Sequence, residues 1–209
     1  MLKRVIFDVD DTLIPWKKSY YRKLKKVLND NDIKISWLIL LKVLKTIEEY
    51  ERTHNNWNIE EFKDCISKVS KIKMDDAKIS LFFKWLEDCV DEAASDELLQ
   101  TLEYLSKKYE LVILSNSFKK AQTIRIEKYG IKKYFKEIYC GDEFMKPNKI
   151  AYERACGNHK AAECIMIGDN LQFDVIEPIN FGLSAIYVNK KKHKKYETIK
   201  KISELKNIL

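Results

Sequence analysis

The sequence predicts an α/β protein: a doubly wound, Rossmann-like parallel sheet with an all-helical segment inserted after its first strand. Three observations carry this reading. Short apolar runs recur along the chain and alternate with stretches of helical periodicity. The runs are apolar on both faces, as strands covered on both sides of a parallel sheet must be. From Pro15 to about Ala94 the pattern changes to one amphipathic stripe after another, with no strand-like run.

The first run, Val5-Ile6-Phe7, ends in Asp8 and is too short for a signal-peptide core. Four helical stripes follow, each spaced by threes and fours. They are Tyr20, Leu24, Val27 and Leu28; then Trp37, Leu38, Leu41, Leu44 and Ile47; then Ile59, Phe62, Ile66 and Val69; then Ile79, Phe82, Phe83, Leu86 and Val90. Four such helices with short polar joints make a small bundle. Four more apolar runs complete the sheet: Leu111 to Leu114, Ile138 to Cys140, Cys164 to Ile167, and Ala185 to Val188. Gly130 and Gly157 each sit just past a helical stretch, where a left-handed cap residue belongs. The expected division is residues 1–15 and 95–209 for the sheet domain and 16–94 for the helical insert.

The 209 residues are 45% hydrophobic and 34% charged, which argues against a disordered chain or a disulfide-stapled miniprotein. Five cysteines, Cys65, Cys89, Cys140, Cys156 and Cys164, form no CxxC pair, so neither a disulfide framework nor a zinc site is signalled. The most apolar later stretch, Ile35 to Leu44, is broken by Lys42 and cannot span a bilayer. A cytoplasmic protein without a membrane partner, monomer or homodimer, is expected. The net charge of +7 hints at nucleic acid. Yet Asn189 to Leu209 holds eight lysines against two glutamates, a net +6 that leaves the remainder nearly neutral. The basic signal therefore belongs to a tail, expected to be a solvated loop and helix. Nucleic-acid binding through that tail is the lesser alternative.

In an open parallel sheet, ligands bind beyond the carboxyl ends of the strands. Polar residues collect there. Asp8-Val9-Asp10-Asp11-Thr12 follows the first run, Ser115-Asn116-Ser117 the second, and Gly168-Asp169-Asn170 the fourth, with Asp174 five residues past Asp169. Met145-Lys146-Pro147-Asn148 lies just before a helix. Neighbouring carboxylates repel unless a cation or a proton sits between them. Asp8, Asp10, Asp169 and Asp174 at one mouth imply a hard divalent cation with oxygen ligands, most simply Mg²⁺. Lys146, the Ser115 hydroxyl and backbone N–H groups suit a phosphate. The chemistry that follows is phosphoryl transfer through a carboxylate nucleophile.

Asp8-x-Asp10-x-Thr12, Ser115-Asn116, Lys146-Pro147 and Gly168-Asp169-x4-Asp174 resemble, in order, the four motifs of the haloacid dehalogenase (HAD) superfamily. The resemblance covers roughly residues 1–15 and 95–190, and the insert looks like a C1-type cap. One departure is Asp11, where many members carry Gly. The resemblance implies that Asp8 attacks phosphorus and that Asp10 is general acid, then general base. By the same resemblance, Ser115 would bind a phosphoryl oxygen, Lys146 would offset negative charge, and Asp169 would bind Mg²⁺ with the Asp8 carboxylate and the Asp10 backbone carbonyl. Asp174 is a ligand or orients Lys146. Thr12, Asn116 and Trp57 are the candidate substrate-side residues: Thr12 braces the loop, Asn116 acts through its backbone, and Trp57 lies in the polar joint from Arg52 to Asn58. Trp16 is read as seating the cap hinge, and His54, His159 and His193 as surface residues.

The second aspartate separates phosphatases from dehalogenases, whose halide leaving group needs no acid. The expectation is a Mg²⁺-dependent phosphomonoester hydrolase acting on a small phosphorylated metabolite through an aspartyl-phosphate. A phosphosugar mutase of the same family is the alternative. A phosphoacceptor receiver domain uses similar residues but would be shorter and lack an insert of about 80 residues.

Overall fold

The computed structural model describes residues 1–209. Its sheet has six parallel strands in the order β3-β2-β1-β4-β5-β6. These are β1 (Arg4–Phe7), β2 (Glu110–Leu114), β3 (Glu137–Tyr139), β4 (Cys164–Gly168), β5 (Ser184–Val188) and β6 (Thr198–Ile199). The five expected runs are β1 to β5 within a residue or two. In register, Phe7 pairs with both Ile113 and Ile167, so the residues after β1, β2 and β4 emerge at one level. The chain runs outward from β1 in one direction through β2 and β3, and in the other through β4 to β6. That reversal of strand order opens a crevice at the carboxyl end of β1.

Strand side chains alternate between two packed layers. Val5, Phe7, Leu111, Ile113, Ile165 and Ile167 face one layer, with Leu102 and Leu105 of α5 (Asp96–Ser106) and Ile126 of α6 (Lys119–Lys128). Ile6, Val112, Leu114, Cys164 and Met166 face the other, with Ala151, Tyr152 and Ala155 of α7 (Lys149–Cys156). This explains why the strands read as apolar on both faces. A π-helical turn, Leu171–Ile176, leads into the short α8 (Glu177–Phe181). Gly130 and Gly157 both take positive φ, but Gly157, at ψ −127°, lies outside the left-handed helical region expected of it.

Between β1 and α5 lie α1 (Ser19–Asp30), α2 (Trp37–Thr53), α3 (Ile59–Ser70) and α4 (Asp76–Glu87). Ser36, Asn58 and Asp75 cap α2, α3 and α4 by accepting backbone N–H bonds. The four helices share an apolar core that includes Tyr20, Leu40, Phe62 and Trp85 and continues into Phe118, Ala121 and Met145 of the sheet layer. The α2 stripe differs from expectation. Leu40, Val43 and Tyr50 face inward, whereas Trp37, Leu38 and Leu41 are 46%, 64% and 61% exposed. The first two turns of α2 are apolar nearly all round, so spacings of three and four fit two faces equally well, and packing chooses between them.

The basic tail also differs from expectation. It contributes β6 on the edge of β5, and Ile199, Ile202 and Leu205 are buried in the sheet core. A two-residue strand and a single 3₁₀ segment are too short to register as periodicity. All five cysteines are free. No helix is long and apolar enough to cross a membrane.

Candidate active site

Asp8 is the first residue past β1, and its N–H continues the ladder by donating to the Ile167 carbonyl at 2.9 Å. Lys146 reaches it from the loop before α7. The Lys146 ammonium donates to Asp8 Oδ1 at 2.8 Å and to Asp174 Oδ1 at 2.6 Å, with all three side chains buried. One carboxylate oxygen each of Asp8, Asp169 and Asp174 lies within 4.8 Å of the others. Three acids thus face one lysine. Burial pushes the Asp8 carboxyl well above its ordinary range; Lys146 opposes this, and the neighbouring aspartates add to it. Burial, with Asp174 and Asp11, pushes Asp169 up to about 7. Burial alone would lower the Lys146 value, but Asp174 and Asp8 hold it above the usual lysine range. A surplus of buried, all-oxygen donors with raised carboxyl values fits a hard divalent cation such as Mg²⁺. Gly168 makes room for this cluster, since a Cβ there would collide with the Asp174 carboxylate.

The loop after Asp8 turns tightly, with the N–H groups of Thr12, Leu13 and Ile14 all directed to the Val9 carbonyl. Asp11 sits at φ +58°, the left-handed region that glycine enters freely and aspartate tolerates. This accounts for the departure from the family's Gly, and the Asp11 carboxylate also accepts the Trp16 N–H at 2.9 Å. Thr12 donates to Asp169 Oδ1 at 3.4 Å. It is buried against the carboxylate cluster rather than facing the substrate side.

Asp10 stands apart from the carboxylate trio. Gln122 of α6 donates to Asp10 Oδ2 and to Ser115 Oγ, both at 2.9 Å. Arg125, one turn further on, places Nη2 2.7 Å from Asp10 Oδ1 and is 0% exposed. Its other nitrogens donate to Gln122 Oε1 at 2.7 Å and to the Cys89 carbonyl at 3.1 Å, and the guanidinium lies over the Trp16 ring at 5.2 Å. Sequence reasoning missed both residues. The available signal was a glutamine and an arginine three apart, flanked by Ala121 and Ile126, on the helix that follows the Ser115 loop.

The Ser115 hydroxyl is buried and accepts the Ser117 N–H at 3.2 Å. The Asn116 side chain is occupied in holding the lysine loop: it accepts the Lys146 N–H at 2.7 Å and donates to the Lys146 carbonyl at 2.9 Å. Trp57 is not in an exposed substrate loop. It is 6% exposed, stacked between Tyr50 and Phe118 with centroids at 4.9 and 4.6 Å, and its indole donates to the Asn116 carbonyl at 2.6 Å. The joint around it latches the helices to the sheet, with the Trp57 N–H donating to the Gly141 carbonyl and the Met145 N–H to that of Asn55. The polar neighbours of Trp57 suggested exposure; its partners come from distant segments. Trp16 packs edge-on to Tyr20 and Trp85 and also lines the cleft. His54 stacks on Tyr50, His159 meets Glu110, and His193 stacks on Tyr196, all away from the cleft.

Between the sheet edge and the helices lies a cleft of about 340 Å³. Asp8, Asp10, Ser115, Asn116, Lys146 and Asp169 form its floor. Trp16, Tyr21 and Trp85, with Glu48 and Glu51 of α2, line the opposite side. Neither glutamate was singled out from the sequence. A buried carboxylate within an acidic cluster, with a second carboxylate held separately in the same cleft, can perform nucleophilic attack and proton transfer.

A family model described as haloacid dehalogenase-like hydrolase matches residues 5–188. Glyceraldehyde 3-phosphate phosphatase of Methanothermobacter thermautotrophicus is 27% identical over 206 residues, covering 90% of this chain and 86% of that one. N-acylneuraminate-9-phosphatase of Mus musculus is 24% identical over 214 residues, covering 90% and 83%. The crystal structure of the HAD-hydrolase YfnB from Bacillus subtilis, bound to magnesium, superposes with a TM-score of 0.78 at 21% identity, covering 100% of this chain and 98% of that one. The matched residues run from β1 through the helical insert to β5, and the chain belongs to the haloacid dehalogenase-like hydrolases.

Proposed function

We propose that the protein is a Mg²⁺-dependent phosphomonoester hydrolase that works through an aspartyl-phosphate on Asp8. The observation that carries this reading is the separation of two carboxylates two residues apart. Asp8 is bound to Lys146 within the carboxylate trio, whereas Asp10 is held outside it by Gln122 and Arg125. One group is thereby suited to attack and the other to proton transfer. A halide leaving group would need only the first. Both curated relatives described above are phosphatases, with different substrates, so the reaction rather than the substrate is what they support here.

Asp8, Asp169 and the Asp10 backbone carbonyl would hold Mg²⁺, with Asp174 beside them, and the ion would offset charge on the nucleophile and phosphate. An Asp8 oxygen attacks phosphorus and the bond from phosphorus to the leaving oxygen breaks. Asp10 delivers its proton to that oxygen. Asp10 then takes a proton from water as the water attacks phosphorus, which releases phosphate and restores Asp8. The Ser115 hydroxyl donates to a phosphoryl oxygen, and Lys146 balances charge throughout. Thr12 braces Asp169, the Asn116 side chain holds the Lys146 loop, and Trp57 secures the helices above Asn116.

The test is turnover of p-nitrophenyl phosphate with Mg²⁺. Asp8→Asn is expected to lower kcat by about a thousandfold or more, and EDTA to abolish turnover until Mg²⁺ is restored. Wild-type activity in Asp8→Asn overturns the mechanism, and insensitivity to EDTA overturns the metal assignment.

A further inference from the structure

The floor of the cleft recognises phosphate, and everything else a substrate meets comes from the helical side. On α2, Leu44, Ile47, Glu48 and Glu51 recur at spacings of three and four, so they form one stripe along the cleft that continues the inward-facing side of Leu40 and Val43. The face is apolar at its start and doubly acidic at its end. Glu51 is half-buried and lines the same cleft as Asp10, Asn116 and Lys146, and Glu48 lies at the exposed rim. The only basic side chain lining the cleft is Lys146, which is already bound by Asp8 and Asp174. Nothing cationic is offered to the far end of a substrate. Glu51 also sits in the last turn of its helix, where an acid opposes the helix dipole. Its placement does not serve the helix.

On the phosphatase reading above, we propose that this cleft selects phosphomonoesters whose leaving alcohol is uncharged or cationic and bears hydroxyl or amino groups, and rejects those bearing a carboxylate. A hydroxyl or ammonium group donates to the Glu48 and Glu51 carboxylates, which only accept when ionised. A carboxylate in that place meets two like charges and no free cation, and this repulsion does the selecting. Trp16, Tyr21 and Trp85 supply apolar surface for the carbon skeleton of the leaving group.

The experiment compares kcat/KM within two matched pairs, glycerol phosphate against phosphoglycerate and phosphoethanolamine against phosphoglycolate. It uses the full chain with Mg²⁺ at about pH 8, above the value of about 7 to which burial pushes the Glu51 carboxyl. The first member of each pair is expected to be favoured by about tenfold or more, the effect of one charge–charge contact near a protein surface. Glu51→Gln should shrink the ratio, and Glu51→Lys or the rim substitution Glu48→Lys should bring it to one or reverse it. A wild-type ratio at or below one in both pairs overturns the proposal. So does a ratio that neither lysine substitution moves. Loss of turnover on all four esters and on p-nitrophenyl phosphate overturns the phosphatase reading itself, and the two failures are thereby told apart.

Discussion

Asp10 owes its position to side chains more than a hundred residues away in sequence. Gln122 and Arg125 hold its two oxygens separately, and Arg125 also ties Gln122 and the Cys89 carbonyl at the end of the helical insert. A fully buried guanidinium is costly unless every partner is present. Arg125→Met is expected to destabilise the fold by about 3 kcal/mol, because it leaves Asp10 without its charge partner and the Cys89 carbonyl without its donor. Denaturant unfolding measures the loss. Arg125→Lys restores charge but not the planar fork, so it should recover only part of the stability and of kcat. Full recovery in both would show that charge alone matters. Asp8, Ser115, Lys146 and Asp169 were legible because each follows a strand or precedes a helix. Gln122 and Arg125 were not, since a polar residue on a helix is ordinarily solvated, and only the fold shows these two at 0% exposure.

At the scale of elements, the decisive feature is the latch between the helical insert and the sheet. Trp57 bridges the two, stacked on Tyr50 from α2 and on Phe118 at the start of α6, with its N–H on the Asn116 carbonyl. Asn116 in turn clamps Lys146. The path from insert to Lys146 is therefore two residues long. Trp57→Phe keeps most of the stack and loses one hydrogen bond, a cost of about 1 kcal/mol. Trp57→Ala opens the latch and should cost about 3–5 kcal/mol. Thermal unfolding gives the stability difference, and kcat should fall more in the alanine variant because Lys146 loses its support. Equal kcat in both variants would rule out that path. The helices themselves were readable from spacing and from the caps Ser36, Asn58 and Asp75. The inward face of α2 was not, because an apolar all-round segment carries no phase information.

For the whole molecule, the sign of its charge matters less than where the charge sits. The lysine-rich tail is part of the fold, with Ile199, Ile202 and Leu205 in the sheet core and Lys201 paired to Glu97 at 2.6 Å. Global stability should instead respond to the acids of the cleft. Burial raises Asp8, and raises Asp169 and Glu51 to about 7, from ordinary values near 4. Between those limits the folded chain holds protons that the unfolded chain has released, so stability falls as pH rises through the window. Without metal, Tm should drop between about pH 5 and pH 7.5, and saturating Mg²⁺ should reduce the drop by binding the deprotonated trio. A metal-free Tm that rises over this interval contradicts the assignment. The sequence by itself determined the order of elements, the parallel sheet and the loops that carry Asp8, Ser115, Lys146 and Asp169, because periodicity and strand ends are local properties. Only the tertiary structure decided that Thr12 and Asn116 support other residues, that Trp57 is a latch, that Arg125 stands behind Asp10, and that Glu51 enters the cleft. Those assignments depend on contacts between segments far apart in the chain, and local pattern does not encode such contacts.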